Sequence, residues 1–265
     1  MAPLRSHKSK VVLAVVVLGA LLAWYTHRQS ADSPVEPPVV PQDSPGKAAT
    51  PAPEPTNNPA RAKFDFYLLA MTLHRAFCIE NPREGDCRTR ATRPLAIHGL
   101  WPENLEPRTY PHDCAAPALS LDPGLEQQLG ELMPGMADEL HVHEWREHGG
   151  CSGLDDDVYF SRALDLARNL DAALAAKLTT LAGRDTTPDE LRSYADLFRP
   201  GIGATFTLHC RNLREFGQRP VLTEIRQCVD DDGPDGAPGT LLDCATVNRR
   251  DQGCGGSFVV ADATR

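Results

Sequence analysis

The sequence predicts an α+β fold in which an antiparallel β-sheet is flanked by helices and held by disulfides. Strand-like runs near both ends of the folded region bracket a middle stretch of strong helical periodicity, the order of an α+β domain rather than of alternating β and α units. The eight cysteines, an even number, all fall at or beyond Cys78. From about Lys63 onward the chain is roughly two hundred residues long, the size of one ordinary domain.

What precedes that domain has a different character. Arg5, Lys8 and Lys10 lead into an unbroken apolar run from Val11 to Tyr25, and Arg28 follows. This is the composition of an export signal. Fifteen helical residues reach about 22 Å, short of the roughly 30 Å hydrocarbon core, which favours a signal peptide. Against cleavage, no small-x-small site directly follows Tyr25, so residues 1–31 are read as a signal peptide or an uncleaved signal anchor with its basic end in the cytoplasm. Between Asp32 and Ala60 lie nine of the 23 prolines and no aromatic residue. Residues 32–62 therefore read as a disordered, extended linker, and residues 63–265 as the folded domain.

Within that domain Phe64 to Leu73 reads as a strand. Leu95 to His98 is a short apolar run entering Gly99, which puts His98 at a strand end. Asp155, Asp156 and Asp157 can cap a long helix whose leucines recur at helical spacing up to Gly183. Thr187-Pro188-Asp189-Glu190 starts a second helix, with a capping hydroxyl, proline at the first helical position and early acids. Ala204 to Cys210, Val221 to Cys228 and Ser257 to Val260 read as strands.

The charge balance is acidic, 27 Lys plus Arg against 36 Asp plus Glu for a net −9. Residues 1–60 hold five basic and four acidic side chains, so the remainder carries −10. Bulk charge of that sign repels polyanions and by itself disfavours a nucleic-acid partner. The cysteines point to four disulfides in an exported domain. A structural zinc site would need paired close spacings such as C-x-x-C, and the sequence has none. Spacing alone leaves about 105 pairings open.

Two segments carry candidate chemistry. Ile97-His98-Gly99-Leu100-Trp101-Pro102 is the first; His143-Glu144-Trp145-Arg146-Glu147-His148-Gly149-Gly150-Cys151 is the second. If the second is helical, Glu144 and His148 share a face, as do His143 and Glu147, so a carboxylate can orient an imidazole. Gly149 and Gly150 would stop the helix behind His148, leaving its ring in the last turn, where the helix dipole favours the cation. The zincin pattern needs histidines four apart. His143 and His148 are five apart and cannot both face one metal from a straight helix. His141 and His143 could chelate only on a strand, so no metal ligand is assigned.

IHGLWP followed some forty residues on by HEWREHGGC resembles the two active-site segments of the ribonuclease T2 family, the secreted, metal-independent endoribonucleases. FDFYLLAMTLHRAFC resembles that family's first strand and first cysteine, and EIRQCVD with LLDCATVNRRDQGC its C-terminal strand and cysteine pattern. The resemblance runs from about Phe64 to the end of the chain. It implies cleavage of single-stranded RNA, with broad base preference, through a 2′,3′-cyclic phosphate. His98 and His148 are the implied acid–base pair, with Glu144 as a third catalytic residue. His143 is implied as a donor at the phosphate and Trp101 as a base-stacking surface; Trp145 is read as packing. It also implies the disulfide pairs Cys78–Cys87, Cys114–Cys151, Cys210–Cys254 and Cys228–Cys244, no cofactor and no metal. The expected protein is a monomeric, periplasmic or secreted enzyme whose partner is its RNA substrate, touching a membrane only if the N-terminal anchor is retained.

Three positions depart from the family pattern. Glu147 stands where a phosphate-stabilising lysine is typical, Gly150 where threonine is usual, and Leu73-His74-Arg75 where tryptophan and proline are common. Glu147 gives some weight to an alternative, a silent RNA-binding relative. Arg88, Arg90 and Arg93, within ten residues of His98, are candidates for a local positive approach.

Overall fold

A computed structural model describes residues 60–88, 93–106, 109–233, 237–248 and 253–262. The expected export segment, nearly all of the linker, and Arg90 lie outside these. Among the described residues no helix is long and apolar enough to cross a membrane.

The domain is α+β. Strands β1 (Phe66–Leu73), β2 (Leu95–Glu103) and β5 (Arg219–Val229) lie side by side in one sheet, with β2 at its edge and β1 between the other two and antiparallel to both. β4 (Phe206–Leu213) pairs antiparallel with β5. The two-residue strands β3 (Asp185–Thr186) and β6 (Phe258–Val259) extend the sheet, β6 meeting β5 in parallel at Val221. The remaining elements are helices α1 (His74–Glu80), α2 (Pro123–Gly130), α3 (Leu140–Glu147), α4 (Asp156–Thr180), α5 (Pro188–Phe198) and α6 (Cys244–Val247).

Alternation along β1 gives the sheet two different faces. Tyr67, Leu69, Met71 and Leu73 join the main core, together with Phe160, Ala163, Leu164, Ala167, Leu170 and Leu174 of α4. Those α4 residues recur three and four apart, which is why this helix buries one stripe along its length. The Asp155 side chain caps its start, accepting from Asp157 N at 3.2 Å. Thr187 does the same for α5, accepting from Glu190 N at 3.3 Å, with Pro188 at the first helical position. On the opposite face Phe66 and Leu68 form a small cluster with Cys228 and Cys244, against which Trp101 packs. Beyond that cluster the same face of β1 carries only Ala70 and Thr72.

The sequence-derived strands and long helices recur with shifted ends. β2 runs past His98 to Glu103, because Gly99 to Glu103 pair with Ala70 to Phe66. α1 and α2, seven and eight residues long, were too short to show periodicity. The four disulfides are Cys78–Cys87, Cys114–Cys151, Cys210–Cys254 and Cys228–Cys244, the same four pairs that the resemblance implies.

Candidate active site

Two irregularities in the sheet build the site. On β2, Gly99 pairs with Ala70 and Ile97 with Met71, so His98 is the extra residue of a β-bulge. On β5, Glu224 pairs with His209 and Leu222 with Cys210, leaving Thr223 as the extra residue of a second bulge. A bulge bends its strand and re-aims a side chain. Here the two bulges bring His98 and Glu224 together, Nδ1 donating to Oε1 at 2.8 Å. The other carboxylate oxygen of Glu224 accepts from Arg226 Nε at 2.6 Å.

Glu144 approaches from α3. It is buried (1% exposed), and its Oε1 lies 3.9 Å from His98 Nε2. Its Oε2 accepts from Trp101 Nε1 at 2.8 Å. This crossing requires Gly99, since a Cβ there would collide with both Glu144 Oε2 and Trp101 Nε1. Trp101 is the hub of the cluster. His98 meets its ring edge-on at 5.1 Å between centroids, His148 lies tilted at 5.4 Å, and the Arg226 guanidinium sits 5.3 Å from its centroid.

His148 is the residue just past α3, with non-helical backbone angles. The Cys114–Cys151 disulfide and the bond from Asp113 N to Glu147 O, at 2.9 Å, tie the segment Tyr110–Cys114 to this helix end. Tyr110, 41% exposed, faces His148 with ring centroids 6.4 Å apart. His143 is exposed on α3 and lines, with His98, His74 and Leu140, a cavity of about 410 Å³. A second cavity of about 420 Å³ shares Thr72, Phe77 and His98 with the first and is lined also by His209, Arg211, Glu224 and Arg226 among others. Trp145 turns away into the core, 2% exposed, its Nε1 donating to Pro117 O at 2.9 Å.

The two histidines have opposite proton affinities. Burial disfavours a charge on His98, but the hydrogen bond and charge of Glu224, with the charge of Glu144, outweigh it and raise the pKa. His148 is pulled down to about 4, chiefly by burial and then by the neighbouring His143, His98 and His112. Its buried Nδ1 has no hydrogen-bond partner among the described residues. This corrects the expectation that the helix dipole would favour the cation at His148: the ring lies beyond the last turn, and desolvation dominates. Glu144 is raised, mainly by burial. Glu224 is held low despite burial, by the hydrogen bond to His98 and the charge of Arg226.

A sequence model of the Ribonuclease T2 family matches residues 64–239. The chain belongs to the ribonuclease T2 family. A ribonuclease of Aeromonas hydrophila is 36% identical over 104 residues, which is 39% of this chain and 45% of that protein. A probable ribonuclease of Haemophilus influenzae is 31% identical over 166 residues, 58% of this chain and 57% of that one. The chain thus spans about half the length of these bacterial relatives. Ribonuclease MC1 from the seeds of bitter gourd is similar in structure, with a TM-score of 0.57 at 25% identity, covering 74% of this chain and 100% of that one. A variant of that enzyme has been crystallised with 5′-UMP.

Set in the ribonuclease T2 family, the departures acquire physical reasons. Glu147 Oε1 lies 3.9 Å from His112 Nδ1, which is also 3.0 Å from Asp113 Oδ2, so the carboxylate belongs to an ionic rim. Gly150 packs against the disulfide segment; a Cβ there would lie 2.7 Å from Ala116 Cβ and 2.9 Å from Cys114 O. His74 is buried at the start of α1, its Nδ1 3.8 Å from Asp86 and its Nε2 3.6 Å from Cys78 Sγ. Arg93 pairs with Asp171 of α4 at 2.6 Å, away from the cleft. Of the sequence-derived residues, His98, Trp101, Glu144 and His148 form one contact cluster, and His143 joins it through the cavity that it lines with His98. Glu224 and Arg226 were missed, because nothing in EIRQC announces them.

Proposed function

We propose that this chain is an endoribonuclease cleaving single-stranded RNA by transphosphorylation, with His148 as base and His98 as acid. The observation that carries the reading is the pair of histidines packed against one tryptophan with opposite proton affinities. Environments that drive two titratable groups apart are what acid–base division of labour requires. Neutral His148 takes the proton of the ribose 2′-hydroxyl as that oxygen attacks phosphorus. Protonated His98 gives its proton to the departing 5′-oxygen as the P–O bond breaks. The product is a 2′,3′-cyclic phosphate, and the roles reverse when water opens it. Each proton transfer is worth about 10²–10⁴ in rate. Glu144 fixes Trp101 and supports the charge of His98, while His143, exposed on α3, serves as a donor to the phosphate.

Trp101 is already in contact with three site side chains, so its base-stacking share is confined to the ring area they leave. Tyr110 is the exposed aromatic beside His148 that adds to it. No metal enters this reaction. Four cystines suit an oxidising compartment, which supports export of the domain behind the N-terminal segment and its linker. N-terminal sequencing of the mature protein distinguishes a cleaved signal from a retained anchor.

The decisive experiment is RNA digestion in excess EDTA, comparing the protein with its His98→Ala and His148→Ala variants. Chelator-resistant cleavage abolished by either substitution is expected. No cleavage by the unsubstituted protein would favour the silent RNA-binding relative, and loss of cleavage on chelation a metal hydrolase.

A further inference from the structure

We infer that Arg226 is the phosphate-binding cation of this cleft, and that Glu224 is the positioning residue that holds Arg226 and His98 together. The inference rests on the acid–base reading above and deepens it. Attack on a phosphodiester builds negative charge on the phosphoryl oxygens, and a fixed positive group aimed there stabilises the transition state. Position 147 supplies a carboxylate turned toward His112. His98 gives its positive charge away as it acts, whereas an arginine keeps its charge throughout.

The sheet register makes room for such a group. Glu224 and Arg226 are two apart on β5 and project from the same face. In the row of Arg226 the next two strands contribute Ala70 and Gly99, residues with a methyl group or no side chain at all. The guanidinium can therefore lie across the sheet toward Trp101, 5.3 Å from its ring centroid. Its Nε is taken by Glu224 at 2.6 Å. Among the described residues neither Nη makes a hydrogen bond, so the fork that suits a phosphate is left to a ligand. The side chain is 28% exposed and lines the cavity that it shares with His98. Glu224 spends one oxygen on each partner, and so fixes their mutual position.

Two measurements test this. The first is cleavage of a short RNA, with inorganic phosphate as competitive inhibitor, by the protein and by its Arg226→Gln, Arg226→Lys and His148→Ala variants. Arg226→Gln should lower kcat by about 10²–10³-fold and weaken inhibition by phosphate about tenfold or more, a factor that follows from losing roughly 1.4 kcal/mol of binding. Arg226→Lys should recover part of both. Free guanidinium ion should restore turnover to Arg226→Gln and not to His148→Ala, an effect that a packing role for Arg226 would not produce. Unchanged phosphate inhibition and turnover in Arg226→Gln, with His148→Ala inactive, would overturn the inference and leave the acid–base reading standing. Full activity in His148→Ala would sink that reading instead, while phosphate inhibition still reports on Arg226. The second measurement needs no folded variant. Phosphate titrated into the unsubstituted protein should shift the Arg226 guanidinium resonances in an NMR spectrum, and their constancy at saturation would also overturn the inference.

Discussion

Glu224 and His98 are 126 residues apart and share a 2.8 Å hydrogen bond between Oε1 and Nδ1. That single contact fixes the tautomer of the ring, because a proton held on Nδ1 leaves Nε2 as the nitrogen that titrates toward the cleft. It also opposes the desolvation that would otherwise discharge the imidazolium.

With His148 as the proposed base and His98 as the proposed acid, the pH profile follows from the two shifts. His148 must be neutral to act as base, so activity should fall as pH drops through about 4. His98 must be protonated to act as acid, so activity should fall as pH rises through its own pKa, which lies above the ordinary histidine value. Glu224→Gln removes the hydrogen-bonded charge and should move the alkaline limb of kcat/KM to lower pH, with kcat reduced about tenfold. An alkaline limb that stays in place in this variant would contradict the assignment of His98 as acid.

Stability should carry the signature of His148. In the unfolded chain this histidine takes its proton near pH 6.5, whereas in the folded protein it does so only near 4. Between those values the unfolded state binds more protons, so the folded state loses up to about 1.4 kcal/mol for each unit of pH lowered. His148→Asn should flatten the acid side of a plot of Tm against pH relative to the parent. Parallel curves from pH 7 to 4 would show that the ring is not held neutral by burial.

Gly99→Ala should disable turnover more than folding. The added methyl strikes the crossing of Glu144 and Trp101, and overpacking of this kind costs about 1–3 kcal/mol. Displacing catalytic groups by about an ångström can cost around 10²-fold in rate. Thermal melts and initial rates measured together separate the two effects; loss of stability with intact kcat would be the contrary result.

The Cys114–Cys151 bridge should matter to both quantities. Replacing both cysteines by serine removes the tie between the Tyr110–Cys114 rim and the turn after His148. A stability loss of about 2–5 kcal/mol is expected, together with a fall in kcat. A variant with unchanged melting temperature and activity would show that the rim is held by other contacts, such as the bond from Asp113 N to Glu147 O.

How far the sequence revealed this molecule depends on how local each signal is. His98, Trp101, Glu144 and His148 stand in two short unbroken segments, and Asp155 and Thr187 announce their helices through side chains within three residues of the cap. Glu224 and Arg226 belong to a strand whose alternation is ordinary. Their meaning arises only when register places them beside a bulge on a strand far away in sequence, and register is a property of pairing between segments. The same distinction explains Arg93. Its nearness to His98 in sequence suggested a role in the cleft, but the strand between them carries the two to different surroundings.

His98 is the extra residue of the β2 bulge. Deleting that one residue would let Ile97 and Gly99 continue an unbroken ladder against Met71 and Ala70, so the sheet without His98 is the more regular object. The candidate site can thus be regarded as a regular antiparallel scaffold into which one amino acid has been inserted, so that the proposed reactivity rests on a lattice defect.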